Sequence, residues 1–370
     1  MGWSPQLSRS PGRRKRWTAR LRRHLQVEGA PLNPFRLISF ALLLVSGSAA
    51  AEDRVYLRHA ADSRAPEVYV GDVNDYTGET LRMTTLSGRQ IEIPAAKVAQ
   101  VDSDWPAIMR QAQALVAQNK FAEAEIAFQE AYRGEMRSWV KRMLIAEMAR
   151  CRRNLGRNDA AGDAFLALVA SDPYTPYLDA MPLAWKTGEP DVNLHRAALA
   201  WLEKTDSPHA QLMGASFLLS AAERSQAIAA LQQLRSTAPA ELALLAEMQL
   251  WRTEPPTLQT SDRIAERRSK IERLPRSVQS GPRLLLGDAL ARDEQSEPAA
   301  LEYLRIPILD NVDRPLAAEA LLRAGKQLEL LGRPVQAKRL YREIITDYTA
   351  ANAIAREASA RMEQAGGASP

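Results

Sequence analysis

A single cysteine in 370 residues, Cys151, rules out an intramolecular disulfide and any zinc site built from cysteines. It falls in an apolar-periodic stretch, where a thiol serves as a small core residue. The four histidines, His24, His59, His195 and His209, lack the close spacing that gathers ligands around a metal, so no metal site is expected. Glycine is also scarce. Of 18, Gly366 and Gly367 belong to the C-terminal tail, and no glycine-rich loop suited to cradling a phosphate occurs. A nucleophile elbow and paired catalytic carboxylates are missing too. Glu123/Glu125 and Glu241/Glu247 stand where a helix shows ordinary surface. Neither a cofactor nor a catalytic activity is expected.

Long apolar runs are nearly absent. The one that matters is Leu37 to Val45, preceded by Arg36 and followed by small residues from Ser46 to Ala51. About ten apolar residues are too few to span a bilayer comfortably but match the hydrophobic region of a secretory signal. Ala49 and Ala51 supply the small residues a signal peptidase reads, which predicts cleavage after Ala51 and a mature chain from Glu52, exported to the periplasm or cell envelope. No cysteine follows the run to accept a lipid. An uncleaved run would instead tether the chain to the membrane as a complex organiser.

The net charge of +5 hints at an anionic partner until it is located. Residues 1–51 carry nine Lys/Arg against Glu28 alone, which leaves residues 52–370 with three more acids than bases. A mildly acidic body cannot neutralise many phosphates, so no nucleic-acid partner is expected.

From residue 52 to 103 the pattern has a period of two. Runs at 54–58, 68–73, 80–86, 89–93 and 97–101 are broken by Asp75-Tyr76-Thr77-Gly78 and Leu86-Ser87-Gly88-Arg89, which predicts five short strands in a small, barrel-like all-β module. The strand-turn-strand from Val70 to Leu81 resembles small barrels of the Sm-like and SH3-like kind, in which Gly71 would permit a strong bend. No loop matches the RNA-contacting residues of Sm-like rings, so a docking or packing role is expected, with a regulatory or catalytic role for the module as the alternative.

The remaining chain, 104–364, repeats a spacing: Ala124/Phe128/Ala131, Ala161/Phe165/Leu168, Ala227/Leu231/Leu234, Ala299/Tyr303/Ile306 and Ala337/Tyr341/Ile344. Each triplet begins twelve residues after a small residue, namely Ala112, Ala149, Ala215, Gly287 and Gly325. That is the layout of a repeated helix pair. Asp104 is placed to cap the first helix ahead of Pro106. Steps of 37, 66, 72 and 38 between key alanines leave room for two cryptic pairs. One would use 194–204 as a surviving helix after a stretch interrupted by Pro173, Pro176, Pro182 and Pro190. The other would pair 240–251 with 261–274, exposing Arg263, Arg267, Arg268, Lys270 and Arg273 as a solvated basic face. A final helix, 350–364, would cap the array before a flexible tail, 365–370.

The clearest unit, Ala318 to Ala351, carries Leu321, Ala324-Gly325, Leu328, Ala337, Tyr341, Ile344 and Tyr348 around a turn at Leu331-Gly332-Arg333-Pro334. It resembles the tetratricopeptide repeat family, and Ile145 to Pro173 resembles it nearly as well. The resemblance implies a mainly α fold, a solenoid of helix pairs, with a protein or peptide partner in its concave groove and no catalysis. Projected on the repeat, the lining includes Met109, Gln113 and Val116, then Arg150, Arg153 and Asn154, then Leu212 and Ser216. It continues with Asp288 and Arg292, then Lys326 and Glu329. Arginine forks suit a carboxylate. The family's carboxylate clamp for chaperone tails is not matched, since Ala146 stands where its first lysine would be.

Overall fold

A computed structural model describes residues 52–58, 67–255, 261–309, 312–348 and 352–364. The expected signal run, its cleavage point and the tail lie outside these. Among the described residues five strands, β1 (Asp53–Leu57), β2 (Val68–Tyr76), β3 (Thr80–Thr85), β4 (Gln90–Pro94) and β5 (Val98–Asp102), precede fourteen α-helices. The helices begin with α1 (Ala107–Ala117), α2 (Phe121–Gly134), α3 (Ser138–Asn154) and α4 (Asn158–Ser171). They continue as α5 (Val192–Leu202), α6 (Pro208–Leu218), α7 (Arg224–Thr237), α8 (Ala240–Leu250) and α9 (Ser261–Glu272). The last are α10 (Ser280–Arg292), α11 (Ser296–Leu309), α12 (Arg314–Leu330), α13 (Pro334–Asp347) and α14 (Asn352–Gln364). The fold is therefore mainly α, with tetratricopeptide-like helix pairs after a small β module.

The strands form one antiparallel sheet in the order β4-β3-β2-β1-β5. The β2–β3 register shifts between Val73 and Asp75, and the β1–β5 register between Tyr56 and Leu57, so the sheet bends at these bulges. Gly71 answers a tight contact: a Cβ there would sit 2.1 Å from the carbonyl oxygen of Thr84. Alternation along the strands turns Val55, Val73, Leu81, Met83 and Ile93 to one face, where they join Met109, Phe121, Phe128, Trp139 and Leu144 in one apolar cluster. The change at residue 103 thus separates strands from helices but does not divide the core. Trp139 sits in the junction and donates from Nε1 to the carbonyl of Val73 at 3.1 Å. Arg142 pairs with Asp75 and donates to the Tyr76 carbonyl at 2.9 Å.

Helix pairing follows the repeated spacing. All fifteen triplet side chains are buried, as are the five small residues that precede them. The small residue is needed because the next helix lays its ring or leucine on it. A Cβ at Gly287 would lie 2.5 Å from the Tyr303 ring, and one at Gly325 would lie 2.3 Å from the Tyr341 ring. Gly325→Ala should therefore overpack the α12–α13 contact and cost about 1–3 kcal/mol in a denaturant melt. Trimming the ring in a Gly325→Ala/Tyr341→Leu double variant should recover part of that loss.

The turns inside four pairs share a left-handed residue five positions before the buried alanine. These are Asn119 (φ 60°), Gly156 (φ 76°), Glu294 (φ 57°) and Gly332 (φ 69°). Each closes the helix with backbone bonds, as in Gly156 N to Arg153 O at 2.9 Å and Arg157 N to Arg152 O at 2.9 Å. The helix starts are set by side chains where these are available. Asp191 accepts from Asn193 N at 2.9 Å, Ser207 from Ala210 N at 3.3 Å, and Asp313 from Leu316 N at 3.0 Å. The cap expected from Asp104 is not made. Pro106 occupies the cap position without a side-chain bond, and Asp104 faces Arg110 at 3.5 Å.

Two further expectations need correction. Helices α8 and α9 are present, but α8 packs on α6 and α7 while α9 packs on α10, so they do not form a close pair. The supposed solvated face of α9 is largely spent on ion pairs. Arg267 is buried against the Trp251 ring at 4.9 Å and bonds Glu254 at 2.6 Å, Arg268 meets Glu302 at 3.2 Å, and Lys270 meets Glu247 at 2.6 Å. Helix α14 covers the end of the stack, packing on α12 and α13.

Two buried groups report on this core. Burial pushes the Cys151 thiol up to about 12, aided by Glu147 and Glu125. Cys151 should react with Ellman's reagent only on unfolding, and the rate measured in denaturant should exceed the native rate by orders of magnitude. His209, against Phe165 with ring centroids 5.9 Å apart, is pushed down to about 4 by burial. Its folded value lies below the ordinary unfolded value of about 6.5, so the contribution is full above that pH and fades as pH falls toward the folded value. About 3 kcal/mol should be lost across that window, and His209→Gln should flatten the dependence measured by denaturant titration at several pH values.

Candidate functional site

The cryptic pair between α4 and α6 is only half helical. Helix α5 supplies its second member. In place of the first, the proline-punctuated residues 172–191 run as an extended strap with a single 3-10 turn at Leu178–Ala180. Proline removes backbone donors and blocks the preceding turn, so four of them prevent a helix here. Extended chain reaches roughly twice as far per residue as helix, which lets the strap touch α3, α6, α8 and α10 in turn.

Three of the residues projected to line the groove, Arg150, Arg153 and Ser216, meet this strap, while Met109 and Leu212 are buried in the core. Arg150 on α3 makes a two-bond fork to Asp179, at 2.8 and 2.9 Å, lies 5.7 Å from the Tyr177 ring, and bonds Glu147 at 2.8 Å. Burial alone would raise the Asp179 carboxyl, but the charge and hydrogen bonds of Arg150, with Arg153 beyond, outweigh it and hold the group below the usual range. Arg153 donates to the Asp179 carbonyl and lies 3.5 Å from Asp313. Ser216 on α6 accepts from Ala184 N at 3.2 Å.

The strap's other fastenings were not evident from the sequence. Gln249 on α8 and Arg252 beyond it both donate to the Ala184 carbonyl at 3.0 Å, and Arg252 reaches the Lys186 carbonyl at 3.0 Å. Burial and the charge of Arg224 push Arg252 down to about 10, and among the described residues no carboxylate pairs with it. Its charge is spent on carbonyls. Trp185 lies flat on α10 where Gly281 leaves space, since a Cβ on Gly281 would sit 2.0 Å from the indole. The signal available in the sequence was composition. Leu178, Met181, Leu183 and Trp185 make this stretch too apolar for a surface loop.

A small cavity of about 30 Å³, room for about one or two waters, lies between the strap and Leu245, Ser280 and Gly281. Asn154, the third of the projected trio, is buried and fastens the seam between α3 and the start of α12. Its amide donates to Val312 O at 2.8 Å and accepts from Arg314 N at 3.0 Å.

The other projected residues do not continue one surface. Asp288 accepts from Tyr303 at 2.7 Å and pairs with Arg323, while the exposed Arg292 turns back to the Asp288 carbonyl at 3.0 Å. Lys326 pairs with Glu357 at 2.6 Å and Glu329 with Arg361 at 2.7 Å, both under α14. A cleft of about 340 Å³ lies beside the strap at the seam. It is bounded by Leu183, Trp185, Leu194, Phe217 and Leu316 with Glu189 and Glu319 at its rim.

Among the described residues no helix is long and apolar enough to cross a membrane. No curated protein matches the chain. The family model for the tetratricopeptide repeat matches residues 319–349, which span the contact between α12 and α13 and carry Gly325, Ala337, Tyr341 and Ile344. That unit is similar to a tetratricopeptide repeat, and the same small-residue-to-ring packing recurs through the helical stack, which makes the array a set of tetratricopeptide-like repeats.

Proposed function

We propose that the protein is an exported, non-catalytic scaffold that holds a protein partner at the seam cleft and not on the floor of its groove. The observation that carries this reading is the strap. It takes up Arg150, Arg153 and Ser216, positions projected to hold a guest, together with Gln249 and Arg252, and leaves the cleft beside Trp185 open. Helical repeats mediate protein contacts through exposed surface of this kind.

Photocrosslinking in the native host tests it. A p-benzoylphenylalanine in place of the exposed Thr187 at the cleft should give a discrete protein adduct, and one in place of Ile126 on α2 should not. Equal labelling from both positions, or none from Thr187, would remove the reading. Export rests on residues 37–51, and N-terminal sequencing of the same preparation should begin at Glu52. Retention of the apolar run would instead favour a tethered organiser.

A further inference from the structure

The scaffold reading says where a partner binds. The walls of the cleft say what it presents. The floor is apolar, made by Leu183, Trp185, Leu194, Phe217 and Leu316. Its volume is at the low end of the range for pockets that enclose a small guest. An apolar floor of this size suits an inserted side chain whose flanking backbone lies outside.

The charges at the rim are unequal. Arg153 is turned to Asp179 O and to Asp313. Glu319 is held by Arg323 at 2.8 Å, and Lys186, 58% exposed, stands off at 4.0 Å. Glu189 is exposed, and among the described residues no cation pairs with it. Glu319 is therefore already paired, which leaves Glu189 as the rim carboxylate that a guest cation would meet.

We propose that the seam cleft takes an extended segment of a partner protein that inserts one apolar side chain against Trp185 and Phe217 and sets a lysine or arginine against Glu189. This rests on the scaffold reading above. It goes further in naming the chemistry of the segment: apolar at the centre, basic at the flank. Complementary charge at such a rim tunes specificity and association more than total affinity, so the preference should be modest and sensitive to salt.

The probes are three fluorescein-labelled heptapeptides, with three central leucines flanked by lysines, the same leucines flanked by glutamates, and three central serines flanked by lysines. Anisotropy titrations on the full chain should show the leucine-lysine peptide binding at least threefold tighter than its glutamate twin at low salt, with the gap closing at high salt. The serine peptide should not saturate. Glu189→Lys should abolish or reverse the preference, and Thr187→Trp, which crowds the cleft, should weaken both leucine peptides. Both substitutions fall on an exposed loop, so folding is not at risk. Equal binding of the two leucine peptides, lost in Thr187→Trp, would overturn the basic flank and leave the cleft standing. No saturable binding, or binding that Thr187→Trp does not touch, would overturn both.

Discussion

Replacing Asp179 with alanine should destabilise the protein by about 3–5 kcal/mol at neutral pH, because the substitution leaves Arg150 buried without the carboxylate that matches its fork. Urea unfolding of the full chain measures this directly. Asp179→Asn should cost less, since an amide oxygen still accepts one of the two bonds. The pH dependence carries a sign. The folded carboxyl lies below its unfolded value, so its stabilisation is present above about pH 4 and fades as pH falls through the folded value. The gap between wild type and Asp179→Ala should therefore narrow in acid. An unchanged midpoint at neutral pH would mean that the strap is a passenger and not a structural member.

Trp185→Ala should cost a similar amount, about 3–5 kcal/mol, through lost burial and the cavity left over α10. Its second effect separates it from an ordinary core truncation. Gln249 and Arg252 hold the neighbouring carbonyls of Ala184 and Lys186, and without the indole the strap is fastened there only by side-chain hydrogen bonds to its backbone. Hydrogen exchange should then rise along 182–190 more than in α10 itself. Uniform acceleration across the whole chain would show that the strap opens only with global unfolding.

The two predictions concern the part of the molecule least legible in its sequence. The spacing of Ala124, Ala161, Ala227, Ala299 and Ala337 located five helix pairs because burial of one face imposes a period, and period survives in a single sequence. The turns at Gly156 and Gly332 were readable for the same reason, as glycine marks a left-handed position. Asn119 and Glu294 hold the same backbone geometry without that mark. All five strands were placed to within a few residues.

The strap was not placed, since prolines were read as breaks in a pattern and a break says nothing of where the chain goes next. Arg150, Arg153 and Asn154 were assigned to the inner face by the repeat; the partners they meet are Asp179 and the seam, far away in sequence. Arginine on a helix reads as solvated until a partner is known. No local rule could have supplied that partner. The corrected pairing of α8 and α9 has a like cause, because a periodic helix does not state which neighbour it chooses.

Stacked repeats ordinarily unfold piecewise, because each touches only the next and the energy is a sum along one dimension. The bonds from Asn154 to Val312 and Arg314 join positions separated by 158 and 160 residues. They turn a line into a loop. Fraying α12 must break contacts with α3, and loosening α3 releases α12, so these two distant parts of the array share one fate. A chain wired this way should melt in a single sharp transition, and its folding should wait on the slow closure of a long loop that an open stack of the same helices would never need to make.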